Sequence, residues 1–203
     1  MMRFRKKVSS AYLDDPDVKC MLAVKKGDRN AFDDLMRKYY PRILNFAYRF
    51  FGNRQLAEDL AQDVFMKVYR SAARYQPHSK FQTWLYTIAK NTCLNELRSH
   101  RGQVLSLDEG PHTDGSEVRK ELPDPAADPA TEFLQKEKEA QVRAAIAYLS
   151  EKQKMAVILK RYESFTYAEI AATLDVTEKA VKSLLSRAKV NLKNKLANMI
   201  DSD

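Results

Sequence analysis

The sequence contains little glycine and cysteine and no long apolar run. Five glycines in 203 residues favour helices over turn-rich sheets. The two cysteines, Cys20 and Cys93, lie far apart and match no metal-ligand spacing, which favours reduced thiols in a cytoplasm. No segment approaches the roughly 18 apolar residues of a membrane span, so we expect no membrane insertion. The basic start MMRFRKKVSS precedes AYLDDPDVK rather than an apolar core, so we expect no export signal and a cytoplasmic protein.

Charge divides the chain into three parts. The formal net charge is +8, which favours nucleic acid as a partner first and an anionic membrane second. Residues 1–103 and 136–203 are basic, whereas residues 104–135 hold eight Asp and Glu against two Lys and Arg, together with four of the seven prolines. Such a segment buries too little apolar surface to offset its chain entropy. We therefore predict an all-α protein with helical domains at 17–103 and 136–200, joined by a flexible acidic linker at 104–135.

Helical periodicity runs through the first domain. We expect Pro41 to break or kink one helix after Tyr40. Asn53 is placed to cap the next helix, which should extend to about Arg74. A further helix is expected at 81–99. In the second domain, Ser and Thr each precede Gln or Glu by three residues, a capping-box pattern, at Ser150/Gln153 and Thr166/Glu169.

The stretch TYAEIAATLDVTEKAVKSLLSRAKVNLK has the pattern of a helix-turn-helix. A short helix from Thr166 ends near Leu174, and Thr177 opens a second helix after a tight connection. One face of that second helix carries side chains that reach phosphates and base edges: Lys179, Lys182, Ser183, Ser186 and Arg187. The alternative is a solvated helix surface without a DNA role.

The first domain resembles region 2 of extracytoplasmic-function sigma factors, and the helix-turn-helix resembles their region 4. The motifs that carry the resemblance are Gly27-Asp28, Ala31-Phe32, Ala57-Glu58-Asp59, Gln62-Asp63-Val64-Phe65, Phe81, Trp84-Leu85 and Ile88-Ala89-Lys90-Asn91. The resemblance covers about residues 17–103 and 136–200. It implies a protein that binds core RNA polymerase and directs promoter-specific initiation, and that is controlled by an anti-sigma factor.

The resemblance also implies where the polymerase binds. The family docks the helix after Asn53 on the clamp coiled coil of the largest subunit, and the flap of the second-largest subunit is a further expected partner. The docking residues implied here are Asp59, Gln62, Asp63, Phe65, Met66 and Tyr69. They form an apolar stripe with acidic neighbours. The alternatives are core packing for the aromatics and helix-terminus placement for the acids.

The helix at 81–99 and the loop before it are implied to read the minus-ten element and hold a flipped-out base. The residues are His78, Ser79, Lys80, Thr83, Thr87, Lys90, Asn91, Asn95 and Arg98. Amides and cations on one face suit an opened strand. Trp84 is either a melting wedge or, as its position beside Leu85 favours, part of the core.

By the same resemblance, the minus-thirty-five element is contacted by Thr177, Lys179, Lys182, Ser183, Ser186 and Arg187. The chain departs from many family members at Leu184, where a basic residue is common. The family's detailed specificity for the minus-thirty-five element therefore does not carry over to this chain.

Two other classes were considered. An ordinary helix-turn-helix regulator explains residues 166–190 but leaves the first domain without a role. A DNA-processing enzyme would need catalytic carboxylates, a phosphate-binding glycine loop or a nucleophile constellation, and we find none in the sequence. We expect no enzyme activity, no cofactor and no metal site.

Overall fold

The computed structural model describes residues 10–104, 141–142 and 144–200. The regular structure of these residues is entirely helical, which confirms the all-α prediction. The predicted linker at 104–135 lies outside the described residues except for its first position.

Four α-helices form the first domain: α1 (Pro16–Lys25), α2 (Arg29–Phe51), α3 (Arg54–Ser71) and α4 (Phe81–Val104). The first three begin where a short polar side chain accepts hydrogen bonds from the first turn, at Asp15, Asp28 and Asn53. The helix predicted to reach Arg74 ends at Ser71, and a 3₁₀ turn at Ala72–Arg74 follows. Helix α4 starts at the predicted residue and runs five residues further than predicted.

Pro41 does not break the helix, because α2 continues through it from Arg29 to Phe51. A proline inside a helix removes one backbone hydrogen bond and costs roughly 3 kcal/mol. Both halves of α2 bury apolar side chains against the rest of the domain, including Leu35 and Tyr39 before the proline and Ile43 and Phe46 after it. Burial of each such side chain is worth about 1.5–3 kcal/mol, which outweighs the cost of the proline.

The second domain contains α5 (Glu151–Arg161), α6 (Tyr167–Leu174) and α7 (Glu178–Ile200), with further helical residues at 141–142 and 144–147. The two predicted capping boxes, Ser150/Gln153 and Thr166/Glu169, are present. Thr177 accepts a hydrogen bond from the backbone of Ala180 at 3.2 Å and so begins α7 as predicted.

Helices α6 and α7 form the predicted helix-turn-helix. Asp175 ends α6 in the left-handed conformation, at φ 56°, which lets the chain reverse within two residues. Ala171 is buried between the helices, and Ile170 and Val181 are fully buried in the shared core. The short turn and the small residue together bring α6 and α7 into close contact.

The two domains pack against each other and share one apolar core. Helix α4 lies against α6, and α2 lies against α5. Tyr86 of α4 is fully buried, with its ring 5.3 Å from that of Phe46 and 5.1 Å from that of Phe165. A series of edge-to-face aromatic contacts thus runs from the first domain into the second.

Candidate polymerase and nucleic-acid interfaces

An open apolar groove lies between α2 and α3. Its volume is about 350 Å³, and its walls are Phe32, Met36, Phe65, Met66, Tyr69 and Arg70. Met66 and Tyr69 are 49% and 55% exposed, unusually high for large apolar side chains. Helix α3 presents them because residues three apart lie on one side of a helix. The groove therefore contains three of the six residues expected to dock the polymerase.

Phe65 differs from the exposed stripe in which the sequence places it, because it is only 3% exposed. Its ring lies 6.4 Å from that of Phe32 and 5.9 Å from that of Tyr40. Phe65 therefore forms the bottom of the groove and belongs to the core as well. The sequence pattern fits both core packing and polymerase docking for Phe65 and Met66. Only their burial in the structure distinguishes the two roles.

The polar residues expected to dock the polymerase are exposed on α3. They are Asp59, Gln62 and Asp63. The carboxylate of Asp63 lies 4.0 Å from Lys67, an exposed pair that holds it only weakly. An acidic edge beside an apolar groove suits a partner helix with apolar and basic side chains.

A second cavity, of about 310 Å³, lies between the start of α4 and the loop before it. Its lining is Ser71, Arg74, Tyr75, Gln76, His78, Ser79, Trp84 and Ile88. The cavity thus brings together His78 and Ser79, two of the residues expected to contact the minus-ten element. The sequence did not indicate Tyr75, which is buried and becomes part of the wall.

Trp84 forms the aromatic wall of this cavity. It is half-buried, and its ring lies edge-to-face with that of Tyr75 at 4.8 Å. The Tyr75 hydroxyl and the Nδ1 atom of His78 are buried without a hydrogen-bond partner among the described residues. Burial raises the pKa of the Tyr75 phenol, so the hydroxyl keeps its proton and remains a donor. The cavity is therefore walled by aromatic rings, whereas these two polar atoms are themselves shielded from solvent.

The side of α4 that is predicted to contact DNA has a buried first part and an exposed second part. Its later residues Asn91, Asn95 and Arg98 are exposed, and Arg98 donates to Asn95 at 3.2 Å. Thr83 is only 5% exposed, and Thr87 donates its hydroxyl proton to the Thr83 carbonyl at 2.8 Å. The first part of this face thus lies inside the molecule.

The two lysines near the buried first part of this face are also less available to DNA. Lys90 is half-buried, and burial lowers the pKa of its ammonium group. Lys80 forms an ion pair at 2.8 Å with Glu169 of the second domain. Lys80 is therefore held by the second domain, and Lys90 is less accessible than the exposed residues that follow it on α4.

The predicted face of α7 is open. Lys179, Lys182, Ser186 and Arg187 are exposed, as is Thr177, while Ser183 is half-buried. Leu184 packs against the core. The leucine thus contributes to packing, and the open cations on either side of it remain free to contact DNA.

The part of the chain that the structure describes contains neither a cluster of metal ligands nor a membrane-spanning helix. No three His, Cys, Asp or Glu side chains gather there as a metal site would require. None of the helices in that part combines the length and apolarity needed to cross a membrane.

Comparison with known families agrees with this architecture. Residues 35–103 match the profile of Sigma-70 region 2, and residues 139–192 match that of Sigma-70, region 4. The chain is 32% identical over 179 residues to the RNA polymerase sigma-H factor of Pseudomonas aeruginosa, covering 86% of this chain and 91% of the relative. It is 28% identical over 176 residues to the ECF RNA polymerase sigma factor SigW of Bacillus subtilis, covering 87% and 94%.

Solved structures show the same fold. CnrH, in complex with the cytosolic domain of CnrY, superimposes with a TM-score of 0.64 at 21% identity, covering 93% of this chain and 99% of that one. RpoE of Bartonella quintana, in complex with the anti-sigma factor NepR, gives 0.62 at 24% identity, covering 82% and 96%.

The two region matches on one helical chain, together with relatives matched over nine-tenths of their length, define a sigma-70-type transcription initiation factor. Within that class, the chain belongs to the extracytoplasmic-function family of RNA polymerase sigma factors. Its function is promoter-directed initiation of transcription.

Proposed function

We propose that this sigma factor binds core RNA polymerase through the α2–α3 groove and reads promoter DNA with α4 and α7. The observation that carries the proposal is the groove, an apolar surface left open beside exposed acids. Exposed apolar patches of this kind mark protein partners. The partner is the clamp coiled coil of the polymerase largest subunit. Met66 and Tyr69 supply contact area, while Asp59 and Asp63 meet basic side chains on its flanks.

The cavity before α4 supports a role in strand opening. A base removed from the stack loses a few kcal/mol of pairing and stacking, which a shaped pocket must return. Trp84 and Tyr75 supply ring faces, and each base stacked on an aromatic side chain recovers about 1–3 kcal/mol. Polar side chains of its lining, such as Ser79, supply hydrogen bonds for a base edge. Asn91, Asn95 and Arg98 then hold the rest of the opened strand.

The exposed face of α7 supports a role at the upstream element. Lysines and Arg187 contact phosphates or guanine edges in the major groove, and Thr177 lies at the helix N-terminus where phosphates bind. The contacts expected from Lys80, Thr83, Thr87, Lys90 and Ser183 belong to the same proposal.

We further infer the setting of the protein. Phosphodiester synthesis belongs to the polymerase, so this chain positions DNA and is not itself an enzyme. A polymerase subunit of a bacterium acts in the cytoplasm. The flap of the second-largest subunit is the partner of the second domain. An anti-sigma factor is the expected regulator, because one structural neighbour, RpoE, was solved in complex with the anti-sigma factor NepR.

Run-off transcription with purified core polymerase on a genomic promoter library tests the proposal. The wild type should start transcription at a defined set of promoters, whereas an ordinary helix-turn-helix regulator would start none. Met66→Ala with Tyr69→Ala should weaken core polymerase binding without loss of helix content. Leu13→Ala is the control, because it removes an exposed apolar side chain outside the groove. Equal polymerase affinity for both variants would refute the groove assignment.

A further inference from the structure

The connection at 75–80 forms one side of the cavity before α4. It joins the 3₁₀ turn to α4 without regular structure, and only Tyr75 and Pro77 within it are buried. The backbone hydrogen bond from His78 to Gln76, at 2.9 Å, is local and does not attach the connection to the rest of the domain. A segment with few regular backbone hydrogen bonds keeps its shape only where other contacts hold it. The shape of the cavity therefore depends on how the buried residues of this connection are held.

Lys25 of α1 holds the backbone of Tyr75. Its ammonium group donates a hydrogen bond of 2.8 Å to the Tyr75 carbonyl, across 50 positions of sequence. The carbonyl lies outside any helix and so has no regular backbone donor. Hydrogen bonds with a charged donor are about twice as strong as neutral ones. Lys25 thus supplies a strong link between α1 and the connection at 75–80.

The side chain of Tyr75 joins α1 to the cavity wall. Tyr75 is 3% exposed, and its ring packs edge-to-face on that of Trp84 at 4.8 Å. Burial, together with the carboxylates of Asp15 and Asp17 at the start of α1, raises the pKa of the Tyr75 phenol. Helix α1 also packs on the 3₁₀ turn and on α4. Tyr75 is therefore held from the side of α1, while its ring and that of Trp84 form the aromatic wall.

Lys26 offers a comparison within the same helix end. Both lysines are exposed and lie at the C-terminal end of α1, so both interact favourably with the helix dipole. Of the two, Lys25 alone donates to the connection at 75–80 among the described residues. Neither lysine lines the cavity. A difference between substitutions at these two positions therefore reports the link to Tyr75 rather than charge or helix stability.

We propose that Lys25 is a positioning residue for promoter opening, because its hydrogen bond to the Tyr75 carbonyl fixes the Tyr75 ring against Trp84. The spacing of these rings sets the space in which a base can stack, so a displaced Tyr75 weakens the hold on the base. Lys25 does not touch DNA and acts through Tyr75. This inference rests on the proposed role of the cavity in strand opening.

Trp84 fluorescence tests the link in the full-length protein without DNA, because Trp84 is the single tryptophan of the chain. Lys25→Met removes the donor but keeps a long side chain that suits a helix. Acrylamide should quench Trp84 about twofold more efficiently in Lys25→Met, because the loosened wall opens more often. Lys26→Met, the matched control, and Lys25→Arg, which keeps a charged donor, should both resemble the wild type. Equal quenching of Lys25→Met and Lys26→Met would overturn the inference.

Strand binding by the polymerase holoenzyme tests the consequence for DNA. The probe is the non-template strand of a minus-ten element from the run-off library, intact or with one abasic site at each position in turn. The wild type should lose affinity most at one position, that of the flipped-out base. Lys25→Met should bind the intact strand about tenfold more weakly than Lys26→Met, as expected when a charge-assisted hydrogen bond is lost. Lys25→Arg should restore the affinity.

The abasic strand separates positioning from a direct DNA contact. With the abasic site at the sensitive position, Lys25→Met and Lys26→Met should bind equally, because no base remains for the cavity to hold. A tenfold difference that persists there would overturn the inference, since it would mean that Lys25 contacts a phosphate. Affinity for core polymerase should be the same for all variants, because the groove that binds it is lined by other residues.

The wild type alone tests the proposed function. If none of the abasic positions weakens its binding, the cavity holds no base, and the role of Lys25 in opening fails with it. The quenching result would still establish whether Lys25 holds the two rings. If one position is sensitive but Lys25→Met binds the intact strand as well as Lys26→Met does, the cavity keeps its function and only the role of Lys25 is refuted.

Discussion

Helices α4 and α7 carry similar side chains for DNA but present them differently. Both have a polar face of lysine or arginine with amides or hydroxyls opposite a buried stripe. On α7 that face is open to solvent, whereas the first part of the α4 face is covered by α6. A polar helix face therefore indicates a capacity to bind nucleic acid, and the accessibility of that face is decided by which element packs on it.

The difference has a physical origin in the partners of each helix. Helix α7 buries only its apolar stripe, through Val181 and Ala188. Helix α4 buries its apolar side in the first domain and also packs Tyr86 against Phe165 of the second domain. The same apolar contact that joins the domains covers their neighbouring polar groups.

The largest effect should come from Tyr86→Ala. The side chain is fully buried between Phe46 and Phe165, so its loss leaves a cavity in the shared core. We expect the free energy of unfolding to fall by about 3–5 kcal/mol. Ser186→Ala, on the open face of α7, should change it by less than about 0.5 kcal/mol. Denaturant titration measures both changes in the free energy of unfolding. Equal changes would contradict the contrast between the two helices.

Arg187→Ala should produce the next largest effect, on DNA rather than on stability. Loss of a base contact costs about 1–3 kcal/mol and relaxes specificity at one position. Loss of a phosphate contact instead weakens all sequences alike and lowers the salt slope by about one. Salt titration of duplex binding, with and without an upstream promoter element, separates these cases. Unchanged initiation from promoters with that element would exclude a reading role for Arg187.

Acid should weaken the domain contact through Glu169. Burial by itself raises the pKa of this carboxyl, but hydrogen bonds from Lys80 and Thr166 outweigh it and lower the pKa below its ordinary value. A lowered pKa contributes stability above the ordinary value, and this is lost as pH falls through the lowered one. Only the hydrogen bond from Lys80 spans the two domains, so the effect of acid on the domain contact is modest.

Small-angle scattering below and above pH 4.5 measures this change as an increase in the radius of gyration on acidification. Glu169→Gln keeps a residue suited to the capping box but carries no charge. Its radius should be less dependent on pH. The same acid response in both proteins would assign the effect to other carboxylates.

The smallest expected effect is at Cys93, on the buried side of α4 in the first domain. Burial raises the pKa of its thiol to about 12, so little reactive thiolate exists near neutral pH. Cys93 should resist alkylation in the wild type and equally in Glu163→Lys, which places a second cation beside Arg42 at the domain contact and leaves the first-domain core intact. Half-buried Cys20 should react faster than Cys93 in both proteins. Fast labelling of Cys93 in Glu163→Lys would mean that the substitution unfolds the first domain rather than only weakening the domain contact.

The acidic linker predicted at 104–135 lies outside the described residues, and its role stays a prediction. Replacing Asp108, Glu109, Asp114, Glu117, Glu121 and Asp124 with Ser or Gly should leave core polymerase affinity nearly unchanged. The same replacement should raise non-specific duplex binding, because the acids repel phosphates and compete for the basic domains. Superimposable salt titrations of the wild type and the variant would show that the acidic residues do not affect DNA binding and that the segment acts only as a spacer.

Local chemistry was sufficient to predict much of the fold. Asn53, Thr166 and Thr177 begin helices where their side chains can accept early backbone hydrogen bonds, and each does so in the structure. The helix-turn-helix is likewise recognisable from small and apolar residues at fixed spacing. Pro41 shows the limit of this reasoning, because its local cost is outweighed by burial along the whole of α2.

By itself, the sequence determined the helical class, the helix starts, the two domains' shared basic character and the family to which they belong. These properties follow from short-range spacing, capping and composition. Only the tertiary structure decided that Phe65 lies beneath the groove while Met66 stays open, and that Glu163 meets Arg42 across 121 positions. Such contacts depend on which surfaces meet after the helices form, and residues this far apart share no local pattern.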